Sequence, residues 1–173
     1  ARPLKDGTYT ANWKENSYTI VFNVEGEVTR GEMKNIPLRY TQETTIPENG
    51  YVCGGYKFVG WRTGGKKSEQ KVYQPGDKVS RLCATNNGTV NLYPIWEPCE
   101  YTITFDYQTG NKREKVTCKY KETYTFPTVN RLGWTFEGWS RSAGSTNVIS
   151  YAPNVKTAVF EDEKDLTLYA VYK

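Results

Sequence analysis

The 173-residue chain contains no histidine. That absence removes the commonest general base at neutral pH, the imidazole of Ser-His-Asp and Cys-His arrangements, and the commonest zinc ligand. Long apolar runs are missing too: none approaches the roughly 20 residues a helix needs to cross a bilayer, and residues 1–10 hold no hydrophobic targeting region. Membrane insertion is therefore not expected. Nor does charge of one sign accumulate. The 23 Lys+Arg and 19 Asp+Glu leave a net +4, divided as +1 over residues 1–16, +2 over 17–97 and +1 over 98–173. Without a basic pole, nucleic acid is not an expected partner. No amphipathic helical stretch longer than two turns is present.

What the chain does have is aromatic rings, with five Trp, fourteen Tyr and six Phe, and an internal repeat. Tyr18-Thr-Ile-Val-Phe22 answers Tyr101-Thr-Ile-Thr-Phe105, Tyr40 answers Tyr120, and Pro47 answers Pro127. Gly55-Tyr-Lys-Phe-Val-Gly-Trp61 answers Gly133-Trp-Thr-Phe-Glu-Gly-Trp139, at offsets falling from 83 through 80 to 78. Downstream, Tyr73-Gln-Pro75 matches Tyr151-Ala-Pro153, and Asn91-Leu-Tyr93-Pro-Ile-Trp96 matches Thr167-Leu-Tyr169-Ala-Val-Tyr172. A steady drift of this kind is the mark of small loop deletions between duplicated units. A third, partial copy lies in Gly7-Thr-Tyr-Thr-Ala-Asn-Trp13, which reads as the closing strand of a preceding unit: Trp13 to Tyr18 and Trp96 to Tyr101 are both five residues apart.

Within each copy the pattern has period two. Tyr18, Ile20, Phe22 and Val24 alternate with more polar neighbours, as do Tyr101, Ile103, Phe105 and Tyr107. The turns Glu25-Gly-Glu and Thr109-Gly-Asn then predict an antiparallel hairpin whose second strand ends near Tyr40 or Tyr120. The Gly-aromatic-x-Phe-x-Gly-Trp motif predicts a third strand, with glycines suited to close backbone approach, and each copy closes on a Leu-Tyr strand. Candidate core residues are Tyr18, Phe22, Phe58, Trp61, Tyr93 and Trp96 in the first copy, and Tyr101, Phe105, Phe136, Trp139 and Tyr169 in the second. The connector Glu97-Pro-Cys-Glu100 reaches roughly 14 Å when extended. Its proline and lack of glycine predict a semi-rigid junction.

Four cysteines, Cys53, Cys83, Cys99 and Cys118, are spaced by 30, 16 and 19 residues with no CxxC pair. Two disulfides in an oxidising compartment fit this better than zinc, against the alternative of four reduced, buried thiols, and three pairings are open. A Cys99–Cys118 bridge would clamp the connector and a Cys53–Cys83 bridge would tie two loops of the first copy. Cys118 also occupies the position of Leu38, which suits a buried thiol. Other constellations are weak. Gly64-Gly-Lys-Lys67 lacks phosphate-loop spacing and reads as a turn; the acidic run Glu161-Asp-Glu-Lys-Asp165 reads as a solvated turn before a calcium site. Tyr107, Tyr124 and Tyr151 are the candidates for a sugar-stacking platform. No catalytic residue and no cofactor is expected.

Taken in order, Tyr-Thr-Ile-Thr-Phe, a mid-unit Tyr, Pro, Gly-aromatic-x-Phe-x-Gly-Trp and a terminal Leu-Tyr-Ala-Val-Tyr resemble the Listeria-Bacteroides repeat family. The resemblance covers residues 101–173 closely and 18–96 with a looser middle. It implies a small β-grasp-like fold and a place in modular bacterial surface or secreted proteins, where such repeats space or support other domains and help adhesion; it implies no catalytic residues. The expected architecture is mainly β, with two tandem β-grasp-like modules in an elongated arrangement: residues 1–16 as closing strand of a preceding repeat and linker, 17–97 as first module and 98–173 as second. The expected role is that of a non-catalytic spacer or stalk outside the cell, with flanking domains of the same polypeptide as partners. The alternative is recognition of a host protein or glycan by the longer loops of the first module, residues 47–55 and 80–88.

Overall fold

The computed structural model describes residues 7–148, 158–159 and 161–173. In chain order its strands are β1 (Ser17–Phe22), β2 (Val28–Arg30), β3 (Ile36–Arg39), β4 (Thr44–Thr45), β5 (Val52–Cys53), β6 (Tyr56–Thr63), β7 (Val72–Tyr73), β8 (Lys78–Val79), β9 (Gly88–Pro98), β10 (Glu100–Asp106), β11 (Arg113–Lys119), β12 (Thr123–Tyr124), β13 (Phe136–Ser140), β14 (Ala158–Val159) and β15 (Leu166–Tyr172). One 3-10 turn, Lys67–Glu69, is the sole helical element among the described residues. The chain is mainly β, and it divides into two compact units. The first holds residues to Glu25, 32–50 and 60–94; the second holds 26–31, 51–59 and 95–173.

The sheet of the first unit runs β3-β1-β9-β6-β7. Alternation along β1 buries Tyr18, Ile20 and Phe22. Tyr18 lies opposite Leu38 in the antiparallel pairing with β3 and opposite Gly88 in the parallel pairing with β9. These side chains, with Ile46, Trp61 and Leu92, form the core, where Phe22 meets Trp61 edge-on with ring centroids 4.8 Å apart. The expected continuation of the buried face to Val24 is not observed: β1 stops at Phe22, the Asn23 amide turns to the Leu92 carbonyl, and Val24 is exposed.

The second unit repeats the same order of second, first, closing and third strands, β11-β10-β15-β13. Tyr101 faces Cys118 across the antiparallel β10–β11 pair, and Ile103 to Asp106 run parallel to Leu166 to Tyr169. A bulge between Phe136 and Gly138 lets β13 follow β15 antiparallel. Ile103, Phe105, Tyr107, Cys118, Phe126, Trp139, Leu168 and Ala170 make one core cluster. Short pairs recur as well: Thr44 opposite Val79 in β4–β8 is answered by Thr123 opposite Val159 in β12–β14. In both repeats the first and closing strands are parallel, which demands a long crossover. Among the described residues, extended segments make that crossover where a helix is usual.

Residues 7–16, which match the closing strand of a preceding unit in sequence, form no strand here, and Trp13 is 89% exposed. A closing strand is held between a first and a third strand, and in the two repeats those places are taken by β9 and β15. The expected disulfides are not found: the four cysteines are free thiols. Tyr120 donates to the Cys99 carbonyl at 2.9 Å, one step beyond the Glu100–Lys119 pair, so Cys99 lies diagonal to Cys118 across the ladder. A diagonal neighbour is about 7–8 Å away, beyond the reach of an unstrained disulfide. Cys118 fills the core as Leu38 does in the first unit. Cys53 is buried in the second unit, and Cys83 belongs to the first, where its thiol points to the Thr85 carbonyl.

Candidate functional site

Of the sequence-predicted core residues, Tyr18, Phe22, Trp61, Phe105 and Trp139 are buried, while Phe58, Tyr93, Trp96, Tyr101, Phe136 and Tyr169 are half-buried. Asp106, a charged group that the fold takes inside, is spent on holding it. At the end of β10, Asp106 accepts the Gln108 amide at 2.9 Å and Arg113 Nε at 2.8 Å. Those donors, the Gln108 amide foremost, hold the Asp106 carboxyl below the usual range despite its burial. Gln108 in turn donates to the Ala170 carbonyl at 2.6 Å and accepts the Gly144 amide at 3.0 Å. Tyr172 donates its hydroxyl to the Tyr107 carbonyl at 2.9 Å, and the Tyr107 hydroxyl donates to Glu114.

Burial first, and Glu114 second, push the Tyr107 phenol up to about 12. Because the folded state binds this proton more tightly than the unfolded chain, the stabilisation is complete below pH 10.0, the ordinary phenol value, and is lost as the pH rises toward 12. The free energy of unfolding is expected to fall over that window. In a Tyr107→Phe chain the fall should be shallower, as read from urea unfolding at a series of alkaline pH values.

The weaker constellations resolve into structure. Among the carboxylates of 161–165, Asp162 takes Arg141 at 2.7 and 2.8 Å, and Asp165 accepts the Thr102 amide at 2.8 Å. Among the described residues no group of three or more Cys, Asp or Glu side chains is placed to hold a metal ion. Residues 64–67 lead into the 3-10 turn, with Gln70 bonded back to the Gly65 carbonyl. Of the proposed sugar platform, Tyr107 is buried against Trp139, with Lys112 Nζ over its ring at 5.0 Å, and the half-buried Tyr124 packs on Phe105 and Phe126; Tyr151 lies outside the described residues. The 80–88 loop is strapped to the start of β1 by Asn87 N to Ser17 O at 2.7 Å and by the Asn86 side chain, which accepts the Ser17 amide.

One constructed surface stands out, inside the second unit. Tyr56 and Trp96 line a cavity of about 430 Å3 with Gly26, Glu27, Cys53 and Lys121. Lys121, on its wall, belongs to a turn with Tyr120. The Tyr120 ring meets Tyr56 edge-on at 5.4 Å and lies where a side chain on Gly55 would have to go, and Lys121 Nζ reaches Glu27 at 2.6 Å. Gly55 has φ +74°, a backbone that L side chains rarely adopt. Cys99 sits in the same arrangement, its amide on the Gly55 carbonyl at 2.8 Å and its carbonyl on the Tyr120 amide. The glycine of the Gly-aromatic motif signals this close approach in the sequence. Lys121 and Glu27 do not announce themselves, because they are 94 residues apart and no local pattern couples them.

The corresponding surface of the second repeat carries Trp134 for Tyr56, Tyr172 for Trp96 and Arg131 for Cys53. It borders a cavity of about 270 Å3 that also includes Gln108 and Thr146. The Arg131 guanidinium lies over Trp134 at 4.7 Å and over Tyr172 at 5.2 Å.

Against known proteins, the model of the Listeria-Bacteroides repeat domain family matches twice, over residues 18–93 and 101–171. Two proteins of Evansella cellulosilytica are similar to the chain. One, named as a Gly-rich membrane protein, is 27% identical over 136 residues, 78% of this chain and 15% of the relative. The other, named as a membrane protein, is 26% identical over 164 residues, 94% of this chain and 22% of the relative. The chain thus spans less than a quarter of the length of the relatives it matches. No helix among the described residues is long and apolar enough to cross a membrane, which says nothing of spans formed by strands.

Proposed function

Since the chain belongs to the Listeria-Bacteroides repeat domain family, we propose that it is a non-catalytic spacer, a section of a tandem array in a bacterial surface protein that holds another domain at a distance. The observation that carries this reading is the junction between the two copies. Cys99 is hydrogen-bonded on both sides, to Gly55 of the first repeat and Tyr120 of the second, and Lys121 pairs with Glu27 across the same boundary. A connector hydrogen-bonded in this way within the second unit is not the slack tether that a glycine-rich one would be. The membrane-protein names of the relatives, and the small share of their length that this chain matches, agree with a module set among others on a cell surface.

Small-angle scattering tests the reading. The maximum dimension is expected to grow by an equal increment with each added repeat; a particle that stays compact as repeats are added would end the spacer hypothesis. A second reading, recognition of a host protein or glycan, is favoured by one observation. Cys53, within the longer 47–55 loop, lines the 430 Å3 cavity beside Tyr56 and Trp96, rings of the kind that stack on sugars.

A further inference from the structure

We propose that the Gly133–Trp134 face of the second repeat is a docking site for the tyrosine-bearing turn of a following repeat, of the Tyr40–Thr41 type. The two repeats present one surface in two states. At Gly55, with φ +74°, the Tyr120 ring fills the space beside the backbone; at Gly133, with φ +80°, no heavy atom of the described residues lies within 4 Å of the same position. Leu132 is fully exposed next to it and Trp134 is 51% exposed, large apolar groups of the sort a partner covers.

The turn that fills the first surface is a property of the repeat and not of one junction. Tyr120 is set by its amide on the Cys99 carbonyl at 2.9 Å, and Tyr40 by its amide on the Asn16 carbonyl at 2.8 Å, Asn16 and Cys99 being equivalent connector residues. Charge chooses between the two turns. Lys121 suits the first surface because Glu27 is there to receive it. In the second repeat the matching turn carries Asn111 where the first has Glu27, and Arg131 already places a cation over the rings. A turn with Tyr followed by Lys would meet that guanidinium, and one with Tyr followed by Thr does not. The connectors agree, since Trp13-Lys14 leads into the Tyr40 repeat and Tyr172-Lys173 closes the second repeat.

This inference rests on the array reading and is tested apart from it. In the test molecule, the full chain is joined at Lys173 to residues 15–173 of a second copy, which preserves the spacing from Tyr172 to the next Tyr18. It is labelled with 5-fluorotryptophan, with Trp134 of each copy assigned through Trp134→Phe. Broadening of the fluorine signals by a soluble gadolinium chelate reports exposure. Trp134 of the first copy is expected to be severalfold less broadened than Trp134 of the second, which has nothing after it. Tyr40→Ala in the second copy should erase the difference, and Thr41→Lys there should reduce it. Equal broadening of the two Trp134 signals would overturn the docking proposal whatever the scattering shows. Growth in length without protection would leave the spacer reading standing alone.

Discussion

A Trp139→Ala chain is expected to lose about 3–5 kcal/mol of stability in its second unit. Trp139 has no exposure and is ringed by Phe105 at 4.7 Å, Phe136 at 5.4 Å and Tyr107 at 5.8 Å between centroids. Truncation removes the transfer energy of the indole, leaves a void that these rigid rings close poorly, and forfeits three aromatic contacts at once. It also strands the Pro127 carbonyl, which accepts Trp139 Nε1 at 2.9 Å. With a typical domain stable by about 5–15 kcal/mol, the loss takes a large part of the total. Trp139→Phe separates the contributions: the ring cluster survives in part while the hydrogen bond is gone, so its cost should fall between zero and that of alanine. Urea unfolding followed by near-ultraviolet circular dichroism reads both. A Trp139→Ala transition coincident with that of the parent chain would mean that the core is not organised around this ring.

The residues that made the fold readable in advance are those whose neighbours along the chain constrain them. Period two in Tyr18, Ile20 and Phe22, and in Ile103, Phe105 and Tyr107, translates directly into one buried face because alternate side chains of a strand point the same way. The repeat itself fixes the order of elements, which is the same in both modules. Where the reading stopped short, the missing information was relational. Nothing local to β9 or β15 tells that each runs parallel to its first strand, and nothing in residues 7–13 tells that both closing places are filled. The thiols are a similar case: an even count suits disulfides, but the register that sets Cys99 diagonal to Cys118 is a property of the pairing. Tyrosine can stack on a sugar, yet Tyr107 and Tyr124 both lie against the core. Of the candidate site, the glycines and aromatics were visible as a motif. Their partners Lys121, Glu27 and Arg131 were not.

The paired glycines give the second test of large expected effect. Gly55→Ala and Gly133→Ala place the same methyl group at equivalent positions with nearly the same positive φ, so each carries the left-handed penalty of about 1–2 kcal/mol. At Gly133 that penalty stands alone, since no atom of the described residues lies within 4 Å of the added methyl. At Gly55 the methyl meets the body of the Tyr120 ring, which cannot swing aside without giving up its contact with Tyr56 and the Lys121–Glu27 pair that follows it along the chain. The expected loss there is larger, about 3–4 kcal/mol, the excess being of the size that overpacking brings. Thermal and urea unfolding of the two variants measure the difference directly. Equal losses would show that the Tyr120 turn yields freely, in which case the junction is no clamp and the stiffness assigned to it has no source. If the turn does not yield, Gly133→Ala in the first copy of the tandem molecule should become as damaging as Gly55→Ala, because docking of the next Tyr40 turn would convert open space into occupied space.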